Sequence, residues 1–117
     1  MKLNDIVSAL ELKVITGGGA MEQEITGAYV SDLLSDVLGN SQKGQLWITL
    51  QTHINIVAVA VMKEIPGIVF IGGRLPDKQI INKAESEGIV LLASPLANFE
   101  LTGRLYQLLN QSGELPQ

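Results

Sequence analysis

The stretch GIVFIGGRLPDKQIINKAESEGIVLLAS, residues 67–94, decides the fold, because it reads as strand, glycine turn, helix, turn, strand. Ile68, Val69, Phe70 and Ile71 form a short unbroken apolar run, as do Ile89, Val90, Leu91 and Leu92. Continuous runs of this kind suit strands covered on both faces, so both are expected as interior strands of a parallel sheet. Between them Pro76 stands where a first helical residue belongs and Asp77 falls in the first turn. Leu75, Ile80, Ile81 and Ala84 then recur at helical spacing until Gly88 ends the element. The unit is βαβ, and in such units ligands gather at the carboxyl ends of the strands. The turn Gly72-Gly73-Arg74 is therefore the first candidate for function.

Working outward toward the N-terminus, Leu46 to Leu50 reads as another strand, followed by Gln51-Thr52-His53 and a helix over 53–64. Ile54, Val57, Ala58, Val61 and Ile65 lie along one stripe of that helix, and Ile56, Val59, Ala60 and Met62 fill much of the rest. A helix apolar nearly all round needs cover on two sides, and a single small domain supplies one, so its second side predicts a homodimer contact. Before it, Glu24 to Val30 reads as a strand and Ser31-Asp32 as the capped start of a helix carrying Leu33, Leu34, Val37 and Leu38. Asp32 is also placed to reach across the sheet edge as a ligand group or the partner of a cation. Gly39 to Gly44 reverses the chain, with Gly39 just past the helix end. At the start, Leu3, Ile6, Val7 and Leu10 give a short amphipathic helix, Leu12 to Ile15 a first strand, and Thr16 to Gly19 a connecting loop without the Lys-Ser/Thr of a phosphate loop.

Beyond residue 94, Ser94-Pro95 reads as an N-cap and first helical residue. The helix then carries Leu96, Phe99, Leu105, Tyr106, Leu108 and Leu109 and ends before Gly113. Gly103 inside it suggests a closely passing backbone, and Glu114 to Gln117 are expected to fray. The whole is expected to be an α/β fold: one three-layer domain over 1–117, with a mainly parallel sheet and helices on both faces.

Composition bounds the function. The chain has 117 residues, 46% hydrophobic and only 17% charged, a surface economy that again favours a second subunit. It has no cysteine, which removes thiolate ligands, disulfides and cysteine nucleophiles. A net charge of −4 without a basic tract argues against nucleic acid as a partner. No apolar run approaches the roughly 20 residues of a membrane helix, and the N-terminus lacks a signal-peptide core. The expectation is a soluble, cytoplasmic protein without membrane attachment. His53 is the only histidine, so a metal site would need Asp32 or Asp36 as further ligands and none is expected. No nucleophile stands beside a base and no cofactor motif occurs, which favours a non-catalytic module over an enzyme.

If the strands ending near Leu50, Ile71 and Leu92 run parallel, one sheet edge collects Thr52, His53 and Asn55, then Gly72, Gly73 and Arg74, then Ser94. Asp32 stands beyond them. Helix starts with free N–H groups, hydroxyls and a guanidinium suit an anionic ligand such as a nucleotide or phosphorylated metabolite. These eight residues are the candidate site. The same residue types also serve as caps and turns in a module that only assembles.

The segments GAYVSDLLSDVLGNSQKGQLWITLQTHINIVAVAV, residues 27–61, and GIVFIGGRLPDKQIINKAESEGIVLLASPLANFELTGRLYQLL, residues 67–109, resemble a DRTGG domain. The resemblance covers about Glu24 to Leu109, and Leu3 to Thr16 fits the family's lead-in. It is similar to small stand-alone bacterial members and, more distantly, to the N-terminal domain of HPr serine kinase/phosphatase, without that enzyme's catalytic domain. DRTGG domains also occur inside CBS-domain pyrophosphatases and beside phosphate acetyltransferase. The resemblance implies an α/β fold, frequent dimers and a regulatory or assembly role, with no agreed activity. Together with the strand-edge argument, the leading reading is a homodimeric regulatory domain that binds a small anionic ligand or a partner protein at that edge. An enzyme acting on phosphorylated substrates is the remaining alternative.

Overall fold

The computed structural model describes residues 1–16 and 19–115. Gly17 and Gly18 of the glycine loop, and residues 116 and 117 of the tail expected to fray, lie outside them. The chain runs α1 (Leu3–Leu10), β1 (Lys13–Val14), β2 (Gly27–Val30), α2 (Leu34–Asn40), β3 (Gln45–Thr49), α3 (Asn55–Met62), β4 (Gly67–Phe70), α4 (Lys78–Glu87), β5 (Val90–Ala93) and α5 (Asn98–Gln111). The five strands form one sheet in the order β1-β5-β4-β3-β2. β2 to β5 are parallel, and β1 closes the far edge antiparallel to β5, with Lys13 opposite Ala93.

The order explains the layers. From β2 to β5 each strand is followed by its neighbour in one direction, and right-handed crossovers then put α2, α3 and α4 on a single face. On that face Trp47, Ile68, Phe70 and Leu91 of the sheet pack with Val37, Ile56, Val57, Val59, Ala60, Ile80 and Ala84. The alternate sheet residues Leu46, Ile48, Val69, Val90 and Leu92 face α1 and α5, meeting Leu3, Ile6, Leu101, Leu105 and Leu109. This is the expected three-layer α/β domain, with β4 and β5 buried along their whole length. Each fully buried Val, Leu or Ile contributes roughly 1.5–3 kcal/mol, so the two apolar runs of residues 67–94 are the largest local driving force for this arrangement.

Several helix boundaries differ from the sequence reading, for one shared reason. Short polar side chains bond the nearest backbone amide and hold a turn ahead of the helix. Ser31 accepts from Leu33 N at 3.1 Å, so α2 starts only at Leu34, and Gly39 lies inside it with Ser41 as the cap. Ser94 accepts from Leu96 N at 3.2 Å, so α5 starts at Asn98 and Pro95 is outside the helix. Asp77 is itself extended and caps α4 by accepting from Ile80 N at 3.0 Å, which places Pro76 before the helix.

The buried faces of α3 and α5 differ too, as do the surroundings of Gly103 and the tail. α3 buries Ile56, Val57, Val59 and Ala60 and leaves Ala58, Val61 and Met62 outward, so its covered stripe is not the one expected from Ile54, Val57, Ala58 and Val61. α5 buries its row of leucines at 101, 105 and 109, and leaves Phe99 93% and Tyr106 61% exposed. No backbone approaches Gly103, whose missing Cβ would meet nothing within 4 Å. Glu114 and Leu115 do not fray but are half-buried, with Leu115 against the α1/α5 core.

Candidate functional site

The carboxyl ends of β2, β3, β4 and β5 lie in a row, and all eight candidate residues stand in the loops that leave them or, for Asn55, at the start of the helix that follows. Adjacent strands are about 4.8 Å apart, so the row from β2 to β5 spans roughly 14 Å, too far for one small ligand to touch both ends. The structure therefore divides the eight into two groups.

Asp32, Thr52, His53 and Asn55 form the first group, at the ends of β2 and β3. The Asp32 carboxylate reaches across to β3, accepting from the Thr49 hydroxyl at 2.9 Å and from Leu50 N at 2.7 Å. It joins two strand ends, so one of its oxygens is already committed. Gln51 binds back to the Asp32 carbonyl at 3.3 Å and accepts from His53 N at 3.0 Å. His53 Nδ1 in turn accepts from Asn55 N at 3.1 Å, which leaves Nε2 as its outward nitrogen. Thr52 is half-buried beside them. Among the described residues no three His, Asp or Glu side chains gather as metal ligands.

The second group is Gly72, Gly73, Arg74 and Ser94, at the ends of β4 and β5. α4 leaves β4 for one face of the sheet and α5 leaves β5 for the other, and a crevice belongs where neighbouring connections diverge in this way. Here it is closed. Gly72 N donates to Leu96 O at 2.8 Å and Gly73 N to Ser94 O at 3.3 Å, while Arg74 N turns back to Ile71 O at 3.1 Å. Both glycines have positive φ, 64° and 75°, a region that glycine enters at no steric cost. The turn amides are thus used, Asp77 caps the start of α4, and His53 takes the Asn55 amide, while α3 and α5 begin without a side-chain cap.

What is open lies one step outward, between β5 and β1. A cleft of about 220 Å³ is lined by Lys13, Gly73, Leu75, Ala93, Ser94 and Pro95. The antiparallel β1 sets Lys13 beside Ala93, at the carboxyl end of β5. Among the described residues neither Lys13 nor Arg74 takes part in an ion pair. Leu75, expected in a buried helix stripe, is 57% exposed and forms an apolar wall together with Pro95. The cleft thus pairs a cation and a hydroxyl with an apolar wall, a combination that accepts a small amphipathic anion. Lys13, Leu75 and Pro95 were not in the sequence-based site. Only the β1–β5 pairing, between residues 80 apart in sequence, brings the lysine there.

No protein-family profile and no curated protein matches the chain by sequence. By structure it resembles the crystal structure of the CBS and DRTGG domains of the regulatory region of Clostridium perfringens pyrophosphatase, complexed with the activator diadenosine tetraphosphate. The TM-score is 0.66 at 18% identity, over 98% of this chain and 47% of that one, so this chain spans about half the length of that regulatory region. The likeness is one of fold: the α/β architecture of this chain is also found in a nucleotide-regulated protein.

Proposed function

We propose that this chain is a DRTGG-like regulatory domain, homodimeric and non-catalytic, which senses a small anionic ligand at the carboxyl edge of its sheet. The observation that carries this reading is the cleft at the end of β5, lined by Lys13, which takes part in no ion pair among the described residues, and by Ser94 beside an apolar wall. Arg74 is exposed on the adjoining loop, between the cleft-lining Gly73 and Leu75, and is the candidate second cation. At about 220 Å³ the cleft is smaller than the ~300–1,000 Å³ of most ligand sites, so it suits a phosphate with part of its ribose or metabolite body rather than an entire dinucleotide. The fold likeness to a pyrophosphatase regulatory region solved with a nucleotide activator supports a nucleotide or phosphorylated metabolite as the ligand class.

The test is a thermal-shift screen of nucleotides, sugar phosphates and inorganic phosphate. A ligand at 100 times its Kd adds about 2.7 kcal/mol of stability, which for a domain of this size raises Tm by about 10 °C. No shift from any compound at millimolar concentration would overturn the sensing role and leave a module that only assembles.

A further inference from the structure

We infer that the homodimer forms through α5, with Phe99, Gly103 and Tyr106 as the centre of the contact and a second copy of this chain as the occupant. This deepens the dimer proposed above by placing it, and it moves the contact away from α3.

Phe99, Thr102, Gly103 and Tyr106 lie one turn apart along the outer side of α5 and line, with Asn98, a surface concavity of about 550 Å³. Phe99 and Tyr106 are 93% and 61% exposed, a rare state for two large side chains on one helix face. The concavity shares Thr102 and Tyr106 with a smaller one of about 190 Å³ that reaches Ala28 and Val30 of the edge strand β2. The apolar surface is thus continuous from α5 to the sheet edge.

Area and charge favour this face. A stable interface takes about 800 Å² from each partner, out of a total surface of 6090 Å². The two aromatic rings alone offer roughly 300 Å² of it, and β2 with the helix flanks extends the patch. On α3 the outward Ala58, Val61 and Met62 border a groove of about 220 Å³ shared with Lys83 and Glu87, and Val61 also borders one of about 360 Å³ shared with Lys43, Glu64 and Glu87, so charged side chains rim that face. Two chains of charge −4 repel one another. The five residues lining the α5 concavity carry no charge, and the adjacent Glu100 is neutralised by Arg104 at 2.7 Å.

The pattern is also self-complementary, as a twofold contact requires. Gly103 stands four residues after Phe99 and three before Tyr106. In an antiparallel crossing of two α5 helices at Gly103, each Phe99 comes beside the second copy's Tyr106, and the bare glycines let the axes approach closely. This gives Gly103 a use that the single chain does not show.

The experiment is sedimentation equilibrium of wild type, Phe99→Glu, Gly103→Leu and Val61→Glu, with thermal melting of each. Wild type should sediment at twice the chain mass of 12.6 kDa. Phe99→Glu should weaken association at least about 30-fold, as expected of a central anchor. Gly103→Leu should weaken it too while leaving the isolated fold intact, since nothing surrounds that position. Val61→Glu should remain a dimer. A wild-type protein that is monomeric at 100 µM would overturn the dimer itself. A dimer indifferent to both α5 substitutions, or dissociated by Val61→Glu, would overturn only its placement. The ligand screen is independent of all three outcomes.

Discussion

The amide of Gly72 donates to the carbonyl of Leu96 at 2.8 Å, tying the loop that leaves β4 to the loop that leaves β5. These loops carry the chain to opposite faces of the sheet, and a fold of this kind would otherwise hold a crevice there. Closing it moves the accessible space to the outer side of β5, where β1 supplies Lys13. Gly72 makes the closure at φ 64° and Gly73 continues it at φ 75°. Gly73→Ala should therefore cost about 1–2 kcal/mol, the left-handed penalty, with no steric clash because nothing lies within 4 Å. Gly73→Val should cost more, since a β-branched residue fits that region poorly. Gly72→Ala should cost as much as Gly73→Ala, its new Cβ making only an ordinary 3.5 Å contact with Leu50. Urea unfolding measures all three, and an unchanged midpoint for Gly73→Val would show that the turn has another conformation.

Asp32 is expected to act on stability more than on binding. Thr49 is buried, and its hydroxyl donates to Asp32 while accepting from Gln51 N. Asp32→Ala leaves that hydroxyl without an acceptor, so the expected loss is about 1–2 kcal/mol, with Asp32→Asn losing less because an oxygen remains. Adding Thr49→Val to Asp32→Ala should recover part of the loss. Additive losses in that double-mutant cycle would show that the two side chains do not interact.

Tyr29 and Asp36 set a pH dependence with two limbs. Hydrogen bonds from Ser31, Tyr29 and Asn40 hold the Asp36 carboxyl below its usual range. Its contribution is present above about pH 4, the unfolded value, and is lost as pH falls through the depressed folded value. The same bond to Asp36, with burial second, raises the Tyr29 phenol above its usual value. That contribution is complete below about pH 10 and is lost as pH rises through the raised folded value. Stability measured by denaturant from pH 3 to 11 should show both limbs. Tyr29→Phe should remove the alkaline one and shrink the acid one. An alkaline limb unchanged in that variant would assign it to another group.

The layers were legible because they follow from local pattern. Ile68 to Ile71 and Ile89 to Leu92 are buried on both faces wherever they fold, and Gly88, at φ 73°, ends α4 as its sequence position requires. What escaped the sequence is nonlocal or degenerate. A two-residue strand offers no periodicity, so neither the pairing of Lys13 with Ala93 nor the cleft it builds could be read from it. α5 carries two overlapping apolar sets, and only the sheet decides that Leu101, Leu105 and Leu109 turn inward while Phe99 and Tyr106 remain outside. Ser31, Pro76 and Ser94 resemble start signals, yet each belongs to a turn that precedes its helix. The row of strand ends follows from the parallel order of β2 to β5, but which of its amides are free depends on how neighbouring loops bond.

The central claim is that Lys13 anchors an anion in the cleft at the end of β5, and calorimetric titration of the best ligand from the screen tests it most directly. The account predicts that Lys13→Ala weakens binding by about 1.5–3 kcal/mol, roughly 10- to 100-fold, and that Arg74→Ala acts in the same direction. Both variants should melt as wild type does, since exposed cations contribute little to folding, and added salt should reduce wild-type affinity more than that of Lys13→Ala. Equal affinities for wild type and Lys13→Ala would contradict the account.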